Sequence, residues 1–293
     1  MHDTVCQINY LTLDSDEEQN TRRMSIFKQD KEKFVNRIIG EDLLNELELF
    51  RKTYIILPTH LADCAKQLEK LHNKYVKKFL KSLNFNQSNS NTDLMVTIAV
   101  ETTINGVLFA KIWSNILKLN EELDRELEEK FTKLIYKLKL NKEDPNVFGD
   151  LCSEFFKIEK KYFLINTKSI LKELKRLPLL NNPYEKLDCL KTSVDLLNNE
   201  FTISFKKTNS NSPNDSVQIV TITSELLIPL MAFILLNSNI NCFKSIEYFM
   251  EKFQFSMSPN SYSNSHTSTV LYELSFFMIT FKAALQLIET SSV

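Results

Sequence analysis

Glycine is nearly absent from this sequence of 293 residues, which has only Gly40, Gly106 and Gly149. Loops that bind phosphate need glycine where the backbone must approach the phosphate oxygens closely. The sequence therefore excludes a P-loop and a dinucleotide-binding fingerprint. Because glycine also weakens helices, its scarcity beside abundant Leu, Lys, Glu and Asn favours an all-α fold.

Cysteine pairs, excess charge and clustered histidines are also missing. The five cysteines are odd in number and far apart, which argues against a disulfide framework and a Cys-x-x-Cys metal site. The 36 basic and 37 acidic residues nearly cancel, so charge predicts no nucleic-acid or membrane-surface partner. His2, His60, His72 and His266 are isolated from nucleophiles and ligand clusters. We therefore expect no catalytic triad, no metal and no cofactor.

Long hydrophobic segments are missing as well. Met1–Leu11 contains acidic and polar residues where a signal peptide would need an apolar run. The longest hydrophobic run, Leu226–Leu236, is shorter than the roughly 20 residues that a membrane helix needs. We expect this run to be a buried core helix and the protein to be cytoplasmic, without direct membrane insertion.

What the chain does contain is apolar residues at helical spacing, in three parts. Residues 1–38 are polar and irregular and predict a disordered tail. Residues 39–119 predict a supporting helical bundle, and residues 120–293 predict a second helical unit. No feature of the sequence indicates an oligomeric state.

Helix and loop signals subdivide the two helical parts. Asp93 is expected to cap a long apolar helix running through Ile116, and Asn120–Leu140 predicts a separate helix. Three stretches rich in Ser, Asn or Lys predict surface loops: Asn84–Asn91, Lys206–Asp215 and Ser256–Ser268.

The C-terminal pattern from Ser224 to Glu289 is the most informative. It reads S-E-L-L-I-P-L-M-A-F-I-L-L, then I-E-Y-F-M-E-K-F, then a polar loop, then Y-E-L-S-F-F-M-I-T-F-K-A-A-L-Q-L-I-E. Three segments precede it in order, beginning at Ala99, Leu171 and Asn182: A-V-E-x-x-I through F-x-x-I, L-K-E-L, and N-P-Y-E-K-L-D-C-L. Together these segments resemble the VPS-nine (VPS9) domain, the helical module of exchange factors for endosomal Rab GTPases.

The resemblance extends from about residue 95 to 289, and the best likeness is to the ankyrin-repeat-bearing branch of the family, although no ankyrin repeat is present. It implies a helical bundle followed by a VPS9-like layer of helices. It also implies that the protein binds an early-endosomal Rab GTPase of the Rab-five subfamily and promotes GDP release without covalent chemistry. Recruitment from the cytoplasm to early endosomes would follow.

The family's acidic residue corresponds to Glu225, four residues before Pro229. The resemblance implies that this acid competes with Mg²⁺ and phosphate for the GTPase's P-loop lysine. The family prefers aspartate, so glutamate shifts the carboxylate by one methylene group. Pro229 lacks an N–H, and we expect a kink that presents the first turn outward to the GTPase. The alternative is that Glu225 is an ordinary first-turn acid, stabilised by the helix dipole.

The family's tyrosine and threonine, which contact the switch regions of the GTPase, correspond to Phe276 and Ile279. Both hydroxyl groups are absent here, and the neighbouring Thr280 is one position too far along the helix to face the same way. The resemblance places Phe276, Ile279 and Thr280 in the GTPase-binding surface. The alternative for Phe276 and Ile279 is a place in the core.

Two alternatives to exchange remain open at this point. The fold could persist as a degenerate VPS9 domain that serves as a non-catalytic Rab-binding or trafficking adaptor, which the replaced hydroxyls favour. The chain could also be a structural helical protein with no connection to Rab proteins. The retained acid at Glu225 favours exchange.

Overall fold

A computed structural model describes the chain over six ranges: residues 41–82, 90–140, 145–163, 165–209, 222–256 and 267–291. Within these ranges the regular secondary structure is helical and no β-strand occurs, so the predicted all-α fold is confirmed. The predicted tail at residues 1–38 lies outside the described residues. So does most of each predicted loop, although their ends extend into helices.

The described ranges contain nine α-helices: α1 (Glu41–Thr53), α2 (Leu61–Ser82), α3 (Ser90–Leu138), α4 (Pro145–Phe156), α5 (Lys168–Leu174), α6 (Pro183–Asn209), α7 (Ser224–Leu236), α8 (Phe243–Phe253) and α9 (Thr267–Thr290). Short 3₁₀ turns at Pro58–His60, Lys160–Phe163 and Leu177–Leu179 connect some of them.

Helix α3 is a single helix of 49 residues, so the prediction of two helices meeting near Asn120 is wrong. The Asn120 side-chain amide donates to the carbonyl of Ile116 at 3.1 Å within the same helix. No proline interrupts the segment, and the interior Gly106 is tolerated at modest cost. The predicted boundary between residues 119 and 120 therefore falls inside one continuous helix.

The N-terminal half of α3 forms the centre of the first core. Six of its apolar residues are fully buried at intervals of four: Val96, Val100, Ile104, Leu108, Ile112 and Ile116. This row faces α2 and α8. By length and hydropathy, Thr92–Leu138 is also the one segment in the described chain that could span a membrane, and half of its most apolar window is buried in the fold.

The second core lies around the C-terminal half of α3 and the helices that follow it. Apolar residues from α4 to α9 join Leu127, Phe131 and Leu134 of α3 in this core. Helix α8 lies between the two cores, because Phe249 and Phe253 belong to the first and Phe243 to the second. The two parts of the chain therefore share packing along α3 and α8.

Candidate functional site

Helix α7 reaches the surface through its first turn. Thr223 precedes the helix in an extended conformation, and its carbonyl accepts hydrogen bonds from the backbone N–H groups of Leu226 (3.0 Å) and Leu227 (2.9 Å). Glu225 is exposed in this turn, where the helix dipole favours a negative charge. The predicted acid is therefore presented to solvent.

Beyond this turn α7 is buried on all sides. Pro229 is buried inside the helix, and every residue from Leu230 to Leu236 is buried as well. Because Pro229 has no N–H, it cannot donate to the carbonyl of Glu225. The helix nevertheless continues through it to Leu236. Pro229 thus supports the first turn from inside, and its side chain is not presented to a partner.

Helix α9 carries an apolar stripe on its solvent side. Tyr272, Phe276 and Ile279 follow the i, i+4, i+7 spacing of one helix face, and they are 73%, 46% and 65% exposed. We call these three residues the α9 stripe. The prediction that placed Phe276 and Ile279 on a different side from the core residues agrees with this exposure.

The other side of α9 is core. Leu274, Phe277 and Phe281 are buried in the second core. Thr280 is also buried, with 4% of its surface exposed. It is therefore not accessible for the contact with a GTPase that the resemblance implied. Its position on the helix turns the hydroxyl inward, away from the α9 stripe.

Ion pairs fix α9 against its neighbours. Glu273, beside the α9 stripe, pairs with Lys191 of α6 at 2.7 Å. On another side Lys282 pairs with Glu251 of α8 at 2.5 Å. These contacts and the packing of α9 on α7 hold the stripe in a defined orientation. The acid-bearing helix and the stripe-bearing helix are therefore direct neighbours.

Tyr272 was missed by the sequence interpretation, which considered only positions that match the family's tyrosine and threonine. Its spacing of four residues before Phe276 was an available signal. Tyr272 places a phenolic hydroxyl group on the α9 stripe, one helical turn before the position where the family's tyrosine hydroxyl is absent.

A buried lysine connects the two cores. Lys186 of α6 is fully buried, and its Nζ donates to the carbonyl of Leu177 at 2.5 Å. The same atom lies 5.1, 5.7 and 5.8 Å from the ring centroids of Trp113, Phe249 and Phe109. Burial lowers the pKa of Lys186 to about 8. The ring faces favour its charged form, so the lysine and the three rings bind α3, α6 and α8 together.

An acid on α3 caps α8. Asp124 accepts hydrogen bonds from the backbone N–H of Lys244 (2.8 Å) and from the hydroxyl of Ser245 (2.5 Å). The residue before the helix, Cys242, makes no side-chain cap of its own. Burial raises the pKa of Asp124, while the hydrogen bonds oppose this shift. Asp124 thus supplies the negative charge and acceptors that the start of α8 needs.

Metal chemistry has no candidate in the described part of the chain, where no group of three or more His, Cys, Asp or Glu side chains could hold an ion. Exposed polar groups on α7 and α9 include the Glu225 carboxylate, the Tyr272 hydroxyl and the Glu273 carboxylate. Such a surface can bind another macromolecule and bring the negative charge of Glu225 close to it.

A family model matches the C-terminal part of the chain. Residues 155–293 match the family model of the Vacuolar sorting protein 9 (VPS9) domain. The match includes α5 to α9, and it leaves out the Ala99–Ile112 segment on which part of the resemblance was based. No curated protein matches the chain. Residues 155–293, a little under half of the chain, are therefore similar to a VPS9 domain.

Proposed function

We propose that this protein binds an early-endosomal Rab GTPase of the Rab-five subfamily and promotes GDP release. The observation that carries the proposal is the α9 stripe, which presents Tyr272, Phe276 and Ile279 beside the helix that bears the exposed Glu225. An exposed row of large apolar side chains on a rigid helix is typical of a docking surface. It lies within the segment that matches the VPS9 family.

In this proposal exchange is a matter of differential binding, because the factor must hold the nucleotide-free GTPase more tightly than the loaded one. The α9 stripe packs against the switch regions, and Glu225 extends toward the nucleotide site. There its carboxylate would compete with Mg²⁺ and phosphate for the GTPase's own lysine. Pro229 and Thr280 contribute from the interior by supporting the two helices.

The second candidate is a non-catalytic adaptor with the same docking surface. The replacement of the family's tyrosine and threonine by Phe276 and Ile279 favours this candidate, because two hydrogen bonds to the GTPase are lost. The exposed carboxylate of Glu225 and the hydroxyl of Tyr272 favour exchange. The likeness to the ankyrin-repeat-bearing branch and recruitment to early endosomes belong to the proposal in either case.

Replacement of Glu225 by alanine is the first test. We expect GDP release to slow by about ten- to hundredfold, which corresponds to losing one charge-assisted hydrogen bond. The fold should persist because Glu225 is exposed. Release of a fluorescent GDP analogue from a preloaded Rab measures the rate.

Glu41 provides a matched control for this substitution, since it is also an exposed acid in the first turn of a helix. Glu41→Ala should leave the release rate unchanged. An equal effect of both substitutions, or no effect of Glu225→Ala on an active protein, would rule out the proposed role of Glu225.

Restoring the family's hydroxyl groups is the second test. We expect Phe276→Tyr combined with Ile279→Thr to raise the release rate by about tenfold, because new hydrogen bonds would favour the nucleotide-free complex. Both side chains are exposed, so the substitutions require no rearrangement of the core. A rate equal to or below that of the native protein would show that these positions do not contact the GTPase as in the family.

A further inference from the structure

A buried carboxyl group lies between α3 and the end of α8. Glu101 of α3 is fully buried, and its Oε2 accepts a hydrogen bond from the backbone N–H of Ser256 at 2.7 Å. Its second oxygen, Oε1, is buried without a hydrogen-bond partner among the described residues. A buried acceptor without a donor is costly, and buried polar groups are nearly always paired.

A second unpaired acceptor lies one helical turn away. The side-chain Nδ2 of Asn105 donates to the carbonyl of Phe253 at 3.2 Å, while its Oδ1 is buried and has no partner in the described structure. The Phe253 carbonyl fixes the orientation of the amide, because a flipped amide would place two acceptors against each other. The Oδ1 atom of Asn105 therefore needs a hydrogen-bond donor from another group.

One proton would satisfy both oxygens. Glu101 and Asn105 are four residues apart on α3, so their side chains are neighbours on one helix face, and both contact the segment from Phe253 to Ser256. We propose that Glu101 is protonated and donates a hydrogen bond to Asn105, which forms a proton-dependent clasp between α3 and the end of α8.

The surroundings of Glu101 support this assignment. Burial raises its pKa from 4.5 to about 7, although the hydrogen bond from the backbone N–H of Ser256 opposes the shift. Among the described residues, the titratable groups that face this region are His72 of α2, which packs against Phe255, and Tyr184 of α6. Burial lowers the pKa of His72 and raises that of Tyr184 to about 12, so neither group carries a charge near neutral pH.

The clasp makes the junction between the N-terminal helices and the VPS9 segment sensitive to pH near neutrality. When the proton leaves, a charge with no cationic partner among the described residues is buried between α3 and α8, and the two unpaired acceptors face each other. The end of α8 should then separate from α3 more readily. The pH sensitivity of the junction does not depend on GTPase binding.

The test compares the native protein with Glu101→Gln, whose amide has the same shape, accepts from Ser256 and donates to Asn105 without titrating. The pKa of Glu101 is 4.5 in the unfolded chain and about 7 in the folded protein. At pH values between these two, the native protein takes up a proton when it folds. Its unfolding constant, relative to that of the variant, should therefore rise by up to about tenfold per pH unit, and by about fortyfold between pH 5 and pH 7. Above pH 7 the ratio should level off.

Urea denaturation of both proteins at each pH gives this ratio. The contributions of the other titrating groups cancel in the ratio because both proteins contain them. Glu121→Gln, at an exposed acid of the same helix, should give a ratio that does not change with pH. In infrared difference spectra at pH 6, the native protein should show the carbonyl band of a protonated carboxyl group that Glu101→Gln lacks. The clasp would be overturned by any one of three results. These are a ratio for Glu101→Gln that does not change with pH, a Glu101→Gln variant that is less stable than the native protein at pH 7, and the absence of that infrared band.

Discussion

Replacing Phe249 by alanine is expected to destabilise the protein by about 3–5 kcal/mol, the usual cost of removing a large buried aromatic side chain. Phe249 is fully buried on α8, and its ring lies 5.5 Å from that of Phe109 and 5.9 Å from that of Trp113. The substitution leaves a cavity and removes one of the three rings around Lys186. Chemical denaturation followed by circular dichroism measures the change.

Phe276→Ala is the matched control, because it removes the same side chain from an exposed position on α9. Its effect on stability should remain below about 1 kcal/mol. If the two substitutions were equally mild, α8 would not be the element that joins the two cores, and the packing described for Phe249 would be wrong.

Placing charge on the α9 stripe is expected to abolish GTPase binding without unfolding the protein. Phe276→Asp with Ile279→Asp replaces two exposed apolar side chains by carboxylates. A central interface residue typically contributes about 2 kcal/mol or more, so we expect affinity to fall by at least about thirtyfold. Calorimetric titration of a nucleotide-free Rab measures the affinity, and thermal unfolding reports the stability.

A charge elsewhere on the surface controls for the general effect of added acid. Tyr136 of α3 is 87% exposed and lies outside the segment that matches the VPS9 family. Tyr136→Asp should leave Rab affinity unchanged. Loss of affinity in Tyr136→Asp but not in the α9 variant would move the docking surface away from α9.

The class of fold and the exposed acid could be predicted from the sequence because both depend on local patterns. Helical spacing and scarce glycine predicted an all-α protein, and the acid before Pro229 marked the first turn of α7. The continuity of α3 through Asn120 could not be predicted in this way. A residue that often starts helices lies inside this one, where packing on both sides outweighs its intrinsic preference.

The buried polar groups illustrate a second limit. Lys186 is part of a recognisable motif, but nothing in its neighbours along the chain shows that three rings from α3 and α8 surround it. Glu101 and Asn105 likewise depend on contacts with residues about 150 positions away. The exposure of the α9 stripe was partly predictable, since the core positions of α9 leave Phe276 and Ile279 on another face.

The most direct test of exchange is GDP release from a panel of purified Rab proteins, measured with the native protein, Glu225→Ala and the α9 variant with two aspartates. We predict that the native protein accelerates release from a member of the Rab-five subfamily. Glu225→Ala should bind that Rab with little acceleration, and the α9 variant should not bind it. Exchange would be contradicted, and the adaptor supported, if the native protein bound a Rab without accelerating release and if Glu225→Ala changed neither the binding nor the release rate. If no Rab bound the native protein, both exchange and the adaptor would be contradicted.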